Sequence, residues 1–178
     1  MHQEIITFWF EEIDPARWWK KNPRFDQMIK DRFLTVHQQA VRCELAPWRE
    51  SVEGRLAEII VLDQFSRNLY RDSALAFNND PLALALAQEA LRLQCDQQVD
   101  RKKRSFFYLP FMHSESRLIH QQAVALYKAH GDKNTLEFEL KHKAIIDRFG
   151  RYPHRNKLLG RVSTDEEMTF LAQPGSSF

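Results

Sequence analysis

The chain has 178 residues, and its 26 lysines and arginines against 24 aspartates and glutamates leave a net charge of +2, which does not indicate nucleic-acid binding. Its 13 phenylalanines and 4 tryptophans supply enough apolar area for a core that needs no covalent or metal cross-links. Only 5 glycines and 7 prolines occur among many residues that favour helices, so we predict an all-α fold.

Start and stop signals divide the chain into about eight or nine helices. The first helix covers about residues 2–12, and Asn22-Pro23 starts a second that runs to about Glu44. A long helix runs from Ser51 to about Tyr70. The further predicted signals are Asp80-Pro81 as a cap followed by proline, Asp100 as a cap, Pro110 as a kink or end, Ser114 or Ser116 as a start, Gly131 as an end, Asn134-Thr135 as a start, Gly150 as an end, and Ser163 with Glu166 or Thr164 with Glu167 as a capping box.

No linker or low-complexity segment interrupts this pattern, so we predict one helical domain over residues 1–178 with a tail at 171–178. A faint similarity between two helices about 35 residues apart favours stacked antiparallel helix pairs. Cys43 and Cys95 form no metal-binding or CxxC spacing, and the first residues lack the basic region of a signal peptide. We therefore expect a cytoplasmic protein with no cofactor and no membrane partner.

The segment LDQFSRNLYR (62–71) places polar residues on a helix that is apolar on almost every side. Asp63 and Arg67 are four residues apart and can pair, and Asn68 and Arg71 continue the polar set. A buried charge costs several kcal/mol unless it is paired. Two readings stay open: the pair locks the helix register, or these residues form the floor of a polar pocket that offers Arg67 or Arg71 to an anion.

The segment LPFMHSESRLIH (109–120) interrupts a helix at Pro110 and places His113 and Glu115 at the next helix start. A histidine and a carboxylate within hydrogen-bond reach suit acid–base chemistry. The alternative is a capping arrangement with a core histidine. His113, Glu115 and His120 match no known metal-ligand spacing, so we predict no metal site.

The segment FGRYPHRN (149–156) lies in the most basic part of the chain. Tyr152-Pro153 enforces extended backbone, so His154 and Arg155 lie in a rigid corner, and Asn156 can cap the next helix. Rigid guanidinium groups suit carboxylate or phosphate recognition. The alternative is that these arginines cap helices or pair with acids such as Asp63. The candidate anion ligands of this region are Arg148, Arg151, Arg155, Asn156 and Arg161.

Five segments together resemble a bacterial family known as domain of unknown function 924: LDQFSRNLYR, LPFMHSE, FGRYPHRN, LGRVST and the terminal PGSSF. The similarity extends over nearly the whole chain, although family members usually carry proline at the position of Ser66. The resemblance implies a compact helical fold similar to tetratricopeptide repeats. It implies no activity.

Three functions remain open at this point. The first is a binding protein whose basic pocket holds a small anionic metabolite or a peptide carboxylate. The second is a hydrolase in which His113, Glu115 or His154 supplies acid–base chemistry and arginines stabilise an oxyanion. The third is a scaffold whose polar motifs only fix the fold. The pocket hypothesis expects FGRYPHRN and LDQFSRN to meet in space.

Overall fold

The computed structural model describes residues 1–176, in which 8 helices and no strand occur, so the predicted all-α class and helix number are confirmed. The helices are α1 (His2–Thr7, continued by a π-helical turn over Phe8–Glu12), α2 (Pro23–Val41), α3 (Val52–Ile60, a π-helical turn over Val61–Phe65, then Ser66–Leu69), α4 (Asp80–Arg92), α5 (Arg101–Met112), α6 (Arg117–His130), α7 (Lys133–Phe149) and α8 (Asp165–Leu171). Within residues 1–176, none of them combines the length and apolar character needed to cross a bilayer.

The Cα positions group the chain into two units. Unit 1 comprises Met1–Arg71 and Leu75–Pro110, and unit 2 comprises Asp72–Ala74 and the chain from residue 111 onward. The organisation as one domain stays a prediction.

Side-chain caps fix most of the helix starts where the sequence predicts them. The Asn22 carboxamide oxygen accepts from the backbone N–H of Arg24 at 3.0 Å, and Ser51 Oγ accepts from Gly54 N at 3.0 Å. Thr164 and Glu167 form the predicted capping box at the start of α8. Of the predicted tail, Leu171 still belongs to α8, and residues 177 and 178 lie outside the described part.

Two predicted caps are wrong. Asp80 is the first residue of α4 and its carboxylate binds the Arg67 guanidinium, so it does not cap the helix. Asn156 follows a 3₁₀ turn over Pro153–Arg155, and its Nδ2 donates to Ser163 Oγ at 3.0 Å. In both cases a more distant partner competes for the side chain that the local pattern assigns to a cap.

An aromatic cluster forms the centre of unit 1. Phe8 and Phe65 come from the two π-helical turns, and Phe33 comes from α2. The Phe8 and Phe33 ring centroids lie 4.8 Å apart, and those of Phe33 and Phe65 lie 5.3 Å apart. These fully buried rings meet at angles typical of aromatic cores, so α1, α2 and α3 are joined mainly by aromatic contact.

Helix α3 is buried on all sides between Leu56 and Ser66, as the sequence predicts. Ser66 follows the π-helical turn, and its hydroxyl donates to the Leu62 carbonyl at 2.6 Å. Its oxygen also contacts His37 Nε2 at 2.8 Å. This serine therefore uses its side chain to satisfy polar groups of the buried helix.

In unit 2, α6 and α7 pack along each other. Gly131 ends α6 and Gly150 ends α7, both with positive φ, as predicted. Ile145 and Ile146 of α7 form a small core with Tyr152, which is fully buried. The chain after α7 is thereby fixed at Tyr152, and this fixes the corner that follows.

Gly54 in the first turn of α3 allows the preceding chain to approach closely. A Cβ atom at this position would lie 2.0 Å from the Trp48 carbonyl oxygen and 2.8 Å from Ser51 Oγ. Both neighbours belong to the turn that leads into the helix, and the closest atom is backbone, so the conflict cannot be relieved by a rotamer change.

We expect Gly54→Ala to lower the free energy of unfolding by about 1–3 kcal/mol, because the added methyl group displaces the Trp48 backbone. Helix propensity alone predicts the opposite sign, a gain of about 1 kcal/mol. Urea denaturation of both proteins measures the difference. An equal or higher stability of the variant would show that a Cβ atom at position 54 does not displace the Trp48 carbonyl.

Candidate functional site

The Arg67 guanidinium links two helices of unit 1. Its Nη1 lies 3.2 Å from Asp63 Oδ1 and donates to the Asp63 carbonyl at 2.7 Å. It also binds the Asp80 carboxylate with both Nη atoms, at 2.9 and 3.1 Å. Asp63 is 1% exposed, so the pairing that the sequence predicts is a buried one. Asp80 is the additional member that sequence analysis missed.

Asp26 of α2 organises the rest of the LDQFSRNLYR motif. Its carboxylate accepts from Arg71 Nε and Nη2, both at 2.7 Å, and from Asn68 Nδ2 at 2.9 Å. All four predicted polar residues of this motif are therefore hydrogen-bonded within unit 1. A carboxylate some 40 residues away in the chain gives no local sequence signal, so the sequence could not identify this partner.

In unit 2, Arg148, Arg151 and Arg161 of the basic segment 148–161 bind carboxylates from outside that segment. Arg148 Nε binds Glu166 at 2.8 Å, and Arg151 binds both oxygens of Glu167 at 2.7 and 2.8 Å. Glu167 is buried, and its hydrogen bond from Arg151 lowers its pKa to about 2. Glu167 thus belongs to the capping box of α8 and also binds Arg151.

Glu115 is the second anchor. Its carboxylate accepts from both Nη atoms of Arg161 at 2.6 and 2.9 Å, and from the backbone N–H of Tyr152 at 2.7 Å. Burial alone would raise its pKa, but these donors hold the pKa of Glu115 below its usual value. Arg161 Nε completes the arrangement by donating to Asn156 Oδ1 at 3.0 Å. A carboxylate held in this way is a poor general base near neutral pH.

Arg155 is buried and lies over the Tyr152 ring, with its guanidinium carbon 4.6 Å from the ring centroid. Its Nη2 donates to the His113 carbonyl at 3.1 Å. His154 is half-buried, and its ring centroid lies 5.5 Å from that of Tyr152. The predicted residues His113, His154 and Arg155 are therefore brought together around one tyrosine.

A buried histidine–glutamate pair lies on the other side of this tyrosine, and the sequence analysis did not assign it. His120 Nδ1 lies 2.7 Å from Glu139 Oε1, and both side chains are fully buried. His120 Nε2 lies 2.9 Å from the Ser114 carbonyl, so this nitrogen carries a hydrogen. One proton therefore occupies the contact between the imidazole and the carboxyl group. Burial raises the pKa of Glu139.

Helix α7 buries two of its polar residues and exposes two of its apolar residues. Glu139 and His142 are buried, while Phe138 and Leu140 are exposed. His142 Nδ1 donates to the Phe138 carbonyl at 2.7 Å, and burial lowers the pKa of His142 to about 3. Glu139, His142 and Ile146 recur at helical spacing, but two of the three are polar. Apolar periodicity therefore does not identify this buried face.

Full burial determines what this cluster can do. The Glu139 carboxyl group, the His120 imidazole and the Tyr152 hydroxyl follow one another in space, with Tyr152 Oη 3.2 Å from His120 Nε2. None of the three is exposed, so their polar atoms are placed to hold neighbouring groups of the protein. Within residues 1–176, no group of three histidine, cysteine or acidic side chains is arranged to hold a metal ion.

The predicted site residues therefore divide between the two units. Asp63, Arg67, Asn68 and Arg71 belong to unit 1. The remaining candidates belong to unit 2: His113, Glu115, Arg148, Arg151, His154, Arg155, Asn156 and Arg161. The meeting of the two motifs, and with it a shared pocket, stays a prediction.

We expect Arg67→Ala to lower the free energy of unfolding by about 3–5 kcal/mol, because it removes the cation that two carboxylates share. Arg148→Ala is the matched control, since its pair with Glu166 is about half-exposed and such pairs contribute about 0–1 kcal/mol. Denaturant unfolding of the two variants measures both values. Equal losses would contradict a special role for the Arg67 pair.

We expect stability to fall as the pH decreases from about 6.5 towards 4.5, because the folded protein keeps His142 neutral while the unfolded chain protonates it. One proton changes the unfolding free energy by about 1.4 kcal/mol per pH unit, so His142→Gln should reduce this loss by about 2–3 kcal/mol. Thermal unfolding of both proteins across this range tests the sign. Parallel pH profiles would contradict a neutral buried His142.

Three comparisons place the chain among known proteins. The profile of a family described as bacterial protein of unknown function (DUF924) matches residues 5–175. A solved structure of a protein of unknown function, ATU0120 from Agrobacterium tumefaciens, is 41% identical, with a TM-score of 0.92 over 96% of each chain. No curated protein matches it. The chain belongs to the DUF924 family of bacterial proteins.

Proposed function

We propose that the protein binds a small anion, a phosphate or a carboxylate of a metabolite or peptide, at the basic corner of unit 2, defined as residues 148–161. Residues 148–161 contain five lysines and arginines and no acid: Arg148, Arg151, Arg155, Lys157 and Arg161. Helix-end geometry at Gly150 and the buried Tyr152 hold this stretch in place. A preorganised set of cations is what anion recognition requires.

Arg151 carries the proposal. Glu167 holds the Nε and Nη2 side of its guanidinium, and Nη2 also donates to the Val162 carbonyl at 2.9 Å. Among residues 1–176, Nη1 donates to no protein group, and the side chain is 29% exposed. A guanidinium fixed on one side and open on the other loses little entropy when it binds a planar anion.

Lys157 supports the same site because it is exposed and makes no ion pair with any described residue. Its charge lies in the acid-free stretch that contains Arg151. An ammonium group of this kind attracts an anion without fixing its orientation. The two side chains would therefore contribute differently, with orientation from the arginine and charge from the lysine.

A scaffold role is the second candidate, and the neighbouring ion pairs favour it. All three nitrogens of the Arg161 guanidinium donate to Glu115, Asn156 or the Tyr152 carbonyl. These contacts use four of the five N–H groups of the guanidinium, so such an arginine mainly fixes the chain. The hydrolase alternative has less support, because the Glu115 carboxylate is occupied by the same arginine.

A cytoplasmic location is part of the proposal. Cys43 and Cys95 are both free thiols. Free cysteines are usual in reducing compartments.

Titration calorimetry with inorganic phosphate and with succinate tests the proposal. We expect wild type to bind, Arg151→Gln to bind at least about tenfold more weakly, and Lys157→Gln about fivefold more weakly, as lost charge-assisted hydrogen bonds imply. Lys128→Gln is the matched control, because Lys128 is exposed on α6 of the same unit and should leave binding unchanged.

Thermal melts of the same proteins separate binding from scaffolding. Lys157→Gln should keep the wild-type melting temperature without ligand but show a smaller increase with phosphate, because its weaker binding stabilises less through mass action. If no anion raises the wild-type melting temperature and Arg151→Gln still melts lower, the scaffold role replaces the binding role.

A further inference from the structure

Two basic segments that are far apart in the chain meet in unit 1 through their aromatic residues. Trp18 and Trp19 lie in the segment PARWWKK, and Phe106 lies in α5, which begins with RKKR. The Trp19 and Phe106 rings are nearly parallel, with an interplanar angle of 10° and centroids 6.2 Å apart. Trp18 meets Phe106 edge-on at 4.9 Å, and its Nε1 donates to the Trp9 carbonyl.

Trp19 is held on one side and exposed on the other. One side of the Trp19 ring contacts the buried Phe106, but the residue is 63% exposed. Trp18, by contrast, is half-buried. Trp19 thus combines a ring that packs on the fold with a large apolar surface that remains accessible.

Cations flank the pair of tryptophans. Arg17 and Lys20 flank the two tryptophans and are exposed, and Lys102 Nζ lies 5.3 Å from the Trp18 ring centroid. We call Arg17, Trp19, Lys20 and Lys102 the Trp19 surface. Lys21 and Arg101 are exposed beside it in the sequence.

Two carboxylates that are close in sequence accept backbone N–H groups, and neither makes a described ion pair with Arg17, Lys20 or Lys102. Asp14 accepts from Ala16 N and Asp100 accepts from Lys103 N, each at 2.9 Å. Glu53 pairs with Lys103, which is not part of the Trp19 surface. Arg17, Lys20 and Lys102 are therefore three cations without a described ion pair, although the net charge of the chain is only +2.

We propose that the Trp19 surface docks onto an anionic phospholipid membrane, with the indole in the headgroup region and the cations on lipid phosphates. Tryptophan is enriched at the membrane–water interface, and lysines and arginines beside it attract acidic lipids. This departs from the sequence expectation of no membrane partner, because the chain order separates the two segments that the fold joins.

The arrangement fits a membrane better than a single-stranded nucleic acid. Nucleic-acid surfaces of that kind stack successive bases on successive exposed rings. On the Trp19 surface only one ring is exposed, and Trp18 is anchored by its hydrogen bond to Trp9. One supported indole with cations around it can enter a headgroup layer without any rearrangement.

Cosedimentation with vesicles tests the proposal, with phosphatidylcholine alone compared with phosphatidylcholine mixed with phosphatidylglycerol. We expect binding only to the acidic vesicles, at low salt, with a blue shift of tryptophan fluorescence. Each of Lys20→Gln and Lys102→Gln should weaken partitioning about fivefold, the ratio that corresponds to about 1 kcal/mol per cation. Trp19→Ala should weaken binding and abolish the blue shift.

Leu118→Ala is the matched apolar control, because Leu118 is also 63% exposed but lies in unit 2. Lys128→Gln is the matched charge control. The proposal is overturned if acidic vesicles do not bind wild type, or if Trp19→Ala and Leu118→Ala bind equally. Trp19-dependent quenching by single-stranded oligothymidine, without vesicle binding, would assign the surface to nucleic acid.

Discussion

A charged side chain is buried in the helical core of this protein only together with a group that binds it. Helix α3 depends on this constraint at both of its ends. Glu58 is fully buried in α3 and binds Arg49 of the preceding turn with both carboxylate oxygens, at 2.6 and 2.7 Å. Arg67 near its other end binds Asp80 of α4. A helix buried on all sides thus uses ion pairs to fix its neighbours, since a buried charge without a partner is strongly destabilising.

The same constraint limits what unit 2 can do. Glu115 and Glu167 hold arginines of the basic corner, and the His120–Glu139 pair keeps its proton in a fully buried contact. A cation that already has a carboxylate offers a ligand only the donors that remain. The proposed binding at this corner therefore rests on donors at its edge, such as Arg151 Nη1 and Lys157, while the buried groups determine where that edge lies.

The sequence predicted those features that depend on neighbouring residues. Apolar periodicity identified α3 as buried, and Gly131 and Gly150 ended their helices as local rules require. Features that depend on distant partners were missed or misassigned. Asp80 matched a cap pattern, but it has a stronger partner in Arg67, 13 residues earlier. Glu139 was missed because a buried carboxyl group on an otherwise amphipathic helix has no periodic signal of its own.

The net charge of the chain is a poor guide to its surface electrostatics. What a surface attracts depends on whether the nearby carboxylates form ion pairs with its cations or accept backbone N–H groups. In the basic corner, acids from outside the segment form ion pairs with the arginines, so a ligand must share cations with carboxylates. Around Trp19, Asp14 and Asp100 accept backbone N–H groups, and Arg17, Lys20 and Lys102 make no described ion pair. The electric field of surface cations without ion pairs reaches about 10 Å into a solution of ordinary salt and weakens as salt is added. The corner is thus suited to a small ligand that fits between fixed groups, and the Trp19 surface to an extended anionic partner.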